Sequence, residues 1–192
     1  RSRSAFETAS AWLGDSGHEV EDAAWHPRGY AALFRVLWRA SAARIPLSQA
    51  DLAVVEPLTA WLVQEGRRLS ALDLLDGLAA ARAFERRTVA DFSAFDAVLT
   101  PALAQPPQPI GAYAGHSPER TFAMQVEYAP YSSFVNVAGL PAMTVPVTAN
   151  ATGHPVSVQL VGRPGGEATL LSLAAQLEGR RGPLPHPPVW RA

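Results

Sequence analysis

The chain contains no cysteine, which excludes disulfides, thiol nucleophiles and thiolate metal sites and fits a reducing compartment such as the cytoplasm. It also contains no lysine: all 16 cationic side chains are arginine. A lysine base or Schiff-base lysine therefore cannot be built from these residues. An excess of charge of either sign is missing too. The 17 acidic residues leave a formal net charge of −1, so nothing electrostatic favours nucleic acid or an anionic membrane as partner. No apolar run reaches the ~18–20 residues needed to span a bilayer. Arg1-Ser2-Arg3-Ser4-Ala5 has neither an initiator Met nor the apolar core of a signal peptide and reads as the continuation of preceding polypeptide. With 48% hydrophobic and 17% charged residues among 192, the composition is that of a globular chain able to bury a substantial core.

Periodicity predicts a mainly helical first half. Ser4 is placed to cap a helix to about Leu13, with Phe6, Ala9, Trp12 and Leu13 on one face. Gly14 or Gly17 ends it, and His18-Glu19-Val20-Glu21 reads as a short strand. This half of an αβ unit leaves its partner strand to be found upstream. A second helix spans about Arg28–Ala43, with Ala31, Phe34, Leu37 and Trp38 as its apolar stripe. A third starts at Pro57 and breaks at Gly66. Ser70-Ala71-Leu72-Asp73 reads as a capping box, Asp in place of Glu, opening a long helix to Phe92. Asp96–Thr100 is a compact strand halted by Pro101, and Gln105–Gly111 is a proline-rich ordered loop. Met143–Thr148 and Val156–Val161 pair as a hairpin about Asn150–Gly153. Gly165-Gly166-Glu167 opens a last helix with Ala168, Leu171, Leu173, Ala174 and Leu177 turned inward. A proline-rich tail from Pro183 to Pro188 ends at Val189-Trp190.

Four segments in order carry a family likeness: Ala11–Glu21, Asp96–Ala102, Asn136–Val147 and Gln159–Leu171. Together they resemble the C-terminal portion of the amidase-signature hydrolases. The resemblance implies an α/β fold with helices around a mixed β-sheet. It makes residues 1–192 the C-terminal portion of a single amidase domain, incomplete at its N-terminal side. That family hydrolyses amides with a Ser–cis-Ser–Lys triad and Gly-rich oxyanion donors, and this portion lies after those elements. The expected role is therefore a contribution to the walls of a small-molecule amide pocket. No catalytic residue is assigned to this chain, which is expected to be inactive alone. Alternatives are a stand-alone binding module derived from the same fold, or part of a glutamine-dependent transamidase. In the transamidase branch an acidic residue stands seven positions before the Asn; here that position is Ala129, with Glu127 two residues earlier. Oligomeric state is open, a homodimer of the full-length protein being one arrangement.

The candidate substrate-binding residues are Phe134, Asn136, Val137, Ala138 and Gly139. Gly139 lets backbone approach a ligand, and Asn136 can donate and accept, or hold its own turn. Tyr30, Phe34 and Trp38 are a second candidate surface, with core packing as the competing reading. Ser132-Ser133 lacks flanking glycines and reads as a polar step into a turn. His18, His26, His116, His154 and His186 form neither an i, i+4 pair nor an HxH cluster. No metal and no cofactor are therefore expected. Gly162–Gly166 reads as a helix-entry turn rather than an anion site, having neither the lysine nor the spacing of a P-loop.

Overall fold

The computed structural model of the chain describes residues 2–183; beyond Pro183 the proline-rich tail lies outside the described residues. The first helix, α1 (Ser2–Asp15), buries Ala5, Ala9 and Leu13 at helical spacing. Ser4 lies inside it rather than capping it. Gly17, at φ 93°, turns the chain, and the His18 amide donates back to the Leu13 carbonyl. The strand expected at His18–Glu21 joins no ladder. No backbone group of residues 19–22 bonds to another described backbone group, so the segment has no ladder partner within residues 2–183.

Helices α2 (Tyr30–Ala43), α3 (Gln49–Leu52), α4 (Pro57–Arg67) and α5 (Ala71–Phe92) follow. Ser48–Asp51 and Ser70–Asp73 form capping boxes: the Asp73 amide donates to Ser70 Oγ at 3.1 Å and the Ser70 amide to Asp73 Oδ2 at 2.8 Å. These bonds hold the Asp51 and Asp73 carboxyls below the usual carboxylate range. Gly66 does not break α4, as the sequence suggested. It is buried inside that helix, where a Cβ would collide with the Arg39 carbonyl of α2. Its missing side chain is what lets α2 and α4 cross so closely.

Strand β1 (Ala97–Pro101) is followed by two helices that periodicity did not foresee, α6 (Pro118–Tyr128) and α7 (Ser133–Ala138). The signal for α6 was present: Ser117 caps it through the Arg120 amide, and Pro118 occupies its first turn. Strands β2 (Ala142–Ala149) and β3 (Pro155–Gly162) form the expected hairpin, and α8 (Glu167–Arg181) closes the described chain. At the hairpin tip Asn150 Oδ1 accepts from the Thr152 and His154 amides, each at 2.9 Å. On α8, Leu170, Leu173, Ala174 and Leu177 are buried. Ala168 and Leu171 instead face solvent, Leu171 being 63% exposed. They lie one position outside the i, i+3, i+4, i+7 stripe.

The three strands run in the order β1-β3-β2, antiparallel at both junctions, with Leu99 opposite Leu160 and Val145 opposite Val158. Helices lie on both faces. On one face α1 and α8 bury Val145, Val147, Val158 and Leu160, with Ala97 and Leu99 of β1 at the margin. On the other face, side chains from α2, α5 and α7 pack around Val161, with Val98 at the margin. Alternate residues of β1 thus belong to opposite layers, as the pleat requires.

Candidate functional site

A cleft of about 1060 Å³ opens along the edge of β1. One wall is Phe6 and Leu13 of α1, continued by Leu160 and Leu173 from the same layer. The opposite wall is Trp25, Phe92 and Phe134 from the other layer. Residues 18–27 run along the far side, opposite Ala97–Thr100. The cleft therefore reaches into both cores of the molecule.

Its aromatic wall is ordered by mutual packing. Trp25 meets Phe92 edge-on, with centroids 5.0 Å apart, and Phe134 at 4.9 Å. The Trp25 indole N–H donates to Asp91 Oδ2 at 3.0 Å, tying the segment after α1 to the end of α5. His18 is tied to α8 by a 2.7 Å contact between Nε2 and Gln176 Oε1. Above the apolar walls the lining is acidic: Glu19, Glu21, Asp22, Asp91 and Asp96 line the cleft and no arginine does. Asp96 alone of these pairs with a described cation, Arg163, at 3.2 Å.

The five residues singled out on the sequence do not converge on this space. They belong to one short helix, α7, and its cap, not to an open turn. Phe134 is buried and lines the cleft; Asn136, Val137, Ala138 and Gly139 do not. Ala138 is buried in the core around Val161, with Val137 half-buried beside it. Asn136 and Gly139 are exposed. The Asn136 side chain makes no hydrogen bond with another described residue; the turn is closed by backbone, the Gly139 amide donating to the Asn136 carbonyl at 3.3 Å. Gly139, at φ 64°, ends the helix in the left-handed region that favours glycine.

The second candidate surface resolves as packing. Tyr30 stacks on Phe34, Phe34 meets Trp38 edge-on, and Trp38 meets Phe122 of α6. The Tyr30 hydroxyl is buried without a hydrogen-bond partner, and burial pushes its pKa up to about 12. Ser133 stands beside it and opposes that shift without satisfying the hydroxyl's bonding geometry. Ser133 thus serves the inside of the fold.

Gln159 was missed on the sequence. It is buried in β3, and its Nε2 donates to the Tyr131 carbonyl at 2.8 Å and to Thr100 Oγ1 at 3.2 Å. A single side chain thus fixes β3, β1 and the lead into α7 together. The signal was a glutamine inside an otherwise apolar strand, where a polar group needs partners.

Among the described residues no group of three His, Asp or Glu side chains is arranged to hold a metal ion. A serine hydroxyl meets no imidazole there either. The hydroxyl–imidazole contact that does occur, Thr152 Oγ1 to His154 Nδ1 at 2.8 Å, belongs to the exposed hairpin turn. No helix of the described chain is long and apolar enough to cross a membrane.

Comparison with known proteins gives these features a context. The family model described as Amidase matches residues 1–171. The chain is 36% identical over 184 residues to the putative amidase AmiB2 of Mycobacterium tuberculosis, a match that covers 92% of this chain and 38% of that protein. It is 37% identical over 100 residues to a glutamyl-tRNA(Gln) amidotransferase of Methylorubrum populi, covering 52% of this chain and 20% of the relative. Its fold superimposes on the structure of 6-aminohexanoate cyclic dimer hydrolase with a TM-score of 0.85 over 97% of this chain and 42% of that one, at 23% identity. The chain thus spans less than half the length of the relatives it matches.

Proposed function

Because this chain belongs to the amidase family, we propose that it forms one wall of the substrate pocket of an enzyme that hydrolyses a carboxylic amide C–N bond. The nucleophile and its base come from other polypeptide. Acyl transfer from an amide needs an activated nucleophile, a base within hydrogen-bond reach and donors for the oxyanion. The chain contains no lysine and no cysteine, and no serine–histidine pair forms among the described residues, so it is inactive alone on this reading.

The observation that carries the proposal is the unpartnered Asn136 amide, exposed beside Gly139 at the end of a helix whose other face is anchored in the core. An exposed amide on an anchored helix is a positioned donor and acceptor for a substrate amide. Phe134 fixes the orientation of that helix, while Val137 and Ala138 bring its backbone close to the sheet. The pocket takes a small-molecule amide and needs no cofactor.

The test is amide hydrolysis by this chain alone, and by the chain together with the portion that its relatives carry outside the match. Activity of the chain alone would sink the reading. In the complete enzyme Asn136→Ala should lower kcat/KM by about tenfold, roughly 1.4 kcal/mol. Unchanged kinetics would remove Asn136 from the pocket. A transamidase reading draws on the amidotransferase relative, but Ala129, the cap of α6, stands where that branch has its acidic residue. Glutamine-dependent amide transfer by the complete enzyme would overturn this preference for hydrolysis.

A further inference from the structure

The cleft beside β1 has the form of a missing strand. Its walls come from both layers, Phe6 and Leu13 on one side and Trp25 and Phe92 on the other. That is the environment a sheet offers a strand buried on both faces. Its two long sides are backbone without ladder partners: residues 19–22 make no backbone hydrogen bond within the described chain, and β1 pairs only with β3 there. A single strand between them can bond to both. At about 1060 Å³ the space exceeds the range of roughly 300–1,000 Å³ that small ligands fill.

We propose that this cleft is the docking slot for one extended, apolar β-strand carrying cationic flanks. The strand is supplied by the polypeptide that makes up the rest of an amidase-family protein. Two observations select this occupant. The relatives extend far beyond the matched share, 38% of AmiB2, so polypeptide of the same fold is at hand. The slot is bordered by Glu19, Glu21 and Asp22, which make no ion pair with a described residue, and no arginine lines it; an arginine flanking the strand would complement them. Main-chain hydrogen bonds supply affinity, and alternating pockets for apolar side chains supply register. The proposal rests on the family assignment but not on the amide-hydrolysis reading.

The test adds a capped peptide of six alternating valines and isoleucines, with one arginine at each end, to the 192-residue chain. Backbone hydrogen exchange is then followed. Exchange should slow about tenfold or more at residues 19–22 and at the outward amides of Ala97–Thr100, saturably and less at high salt, while the β2–β3 pairing is unchanged. A copy of the peptide N-methylated at alternate residues should give no protection. The proposal is overturned if the unmodified peptide protects neither segment, or if the N-methylated copy protects both equally. It is also overturned if hexanamide, a small apolar amide, reproduces the effect, since the cleft would then be a small-molecule pocket. No readout here depends on hydrolysis, so failure of the pocket proposal would leave this result standing.

Discussion

Strand β2 forms one edge of the sheet, carrying Pro146, a register shift between Pro146 and Thr148, and the Arg181 guanidinium donating to the Pro146 carbonyl at 3.0 Å. Strand β1 forms the other edge and carries no such feature until Pro101 at its end. Proline, bulges and cationic side chains are how natural sheets refuse further pairing. The β2 edge is finished; the β1 edge is not. All five β1 residues are half-buried rather than alternating, as befits an edge beside a cleft that reaches into both layers. The contrast teaches that the described sheet ends by design on one side and is open on the other.

The strongest way to break this contrast is to remove the strand both edges share. Leu160 is buried in β3 opposite Leu99 and Met143. Leu160→Ala should destabilise the chain by about 2–5 kcal/mol, read from urea unfolding, with both edges loosened in hydrogen exchange. A smaller and one-sided effect is expected for Gln159→Leu. It strips the Tyr131 carbonyl and Thr100 hydroxyl of their shared donor and should cost about 1–3 kcal/mol. Exchange should rise at β1 and α7 more than at β2; equal rises at both edges would show that Gln159 does not tie the open side.

Pro146→Thr sharpens the contrast from the finished side. Stability should move by no more than about 0.5 kcal/mol, while concentration-dependent self-association, followed by sedimentation, should increase as the β2 edge becomes able to pair. An unchanged sedimentation profile would mean that proline is not what closes that edge.

The smallest effect concerns Tyr30, in the layer behind the open edge. Its folded pKa of about 12 lies above the unfolded value near 10. Between these values the unfolded state binds fewer protons, so stability is intact below about pH 10 and falls as pH rises towards 12. Tyr30→Phe should flatten that alkaline fall and leave neutral-pH stability equal or slightly higher, because an unpartnered buried hydroxyl is removed. A steeper fall in the variant would contradict the assignment.

Local chemistry was the legible part of the fold. The Ser70–Asp73 box, Pro57 at a helix start, the Asn150 turn and the alternation in β2 and β3 each depend on residues within a few positions of one another. The family likeness carried by Asn136–Val147 was legible for the same reason. Helices α3 and α7 were too short for periodicity to register, and Gly66 read as a break because its partner, the Arg39 carbonyl, is 27 residues away. Of the candidate site, the exposure of Asn136 and Gly139 fits a residue pair chosen for backbone approach and hydrogen bonding. The helical state of their segment, and the separation of Phe134 from its neighbours into the cleft wall, were not readable.

The sequence by itself determined the family, the helix and strand punctuation, and the absence of lysine and cysteine chemistry, since all of these reside in residue identity and short spacing. Only the tertiary structure decided that Trp25, Phe92 and Phe134 form one aromatic wall, that Gln159 joins three segments, and that β1 rather than β2 is the open edge. These facts depend on groups up to 109 residues apart in the chain (Trp25 and Phe134) meeting within about 5 Å. No local propensity encodes such meetings; they are set by which apolar faces can be buried together.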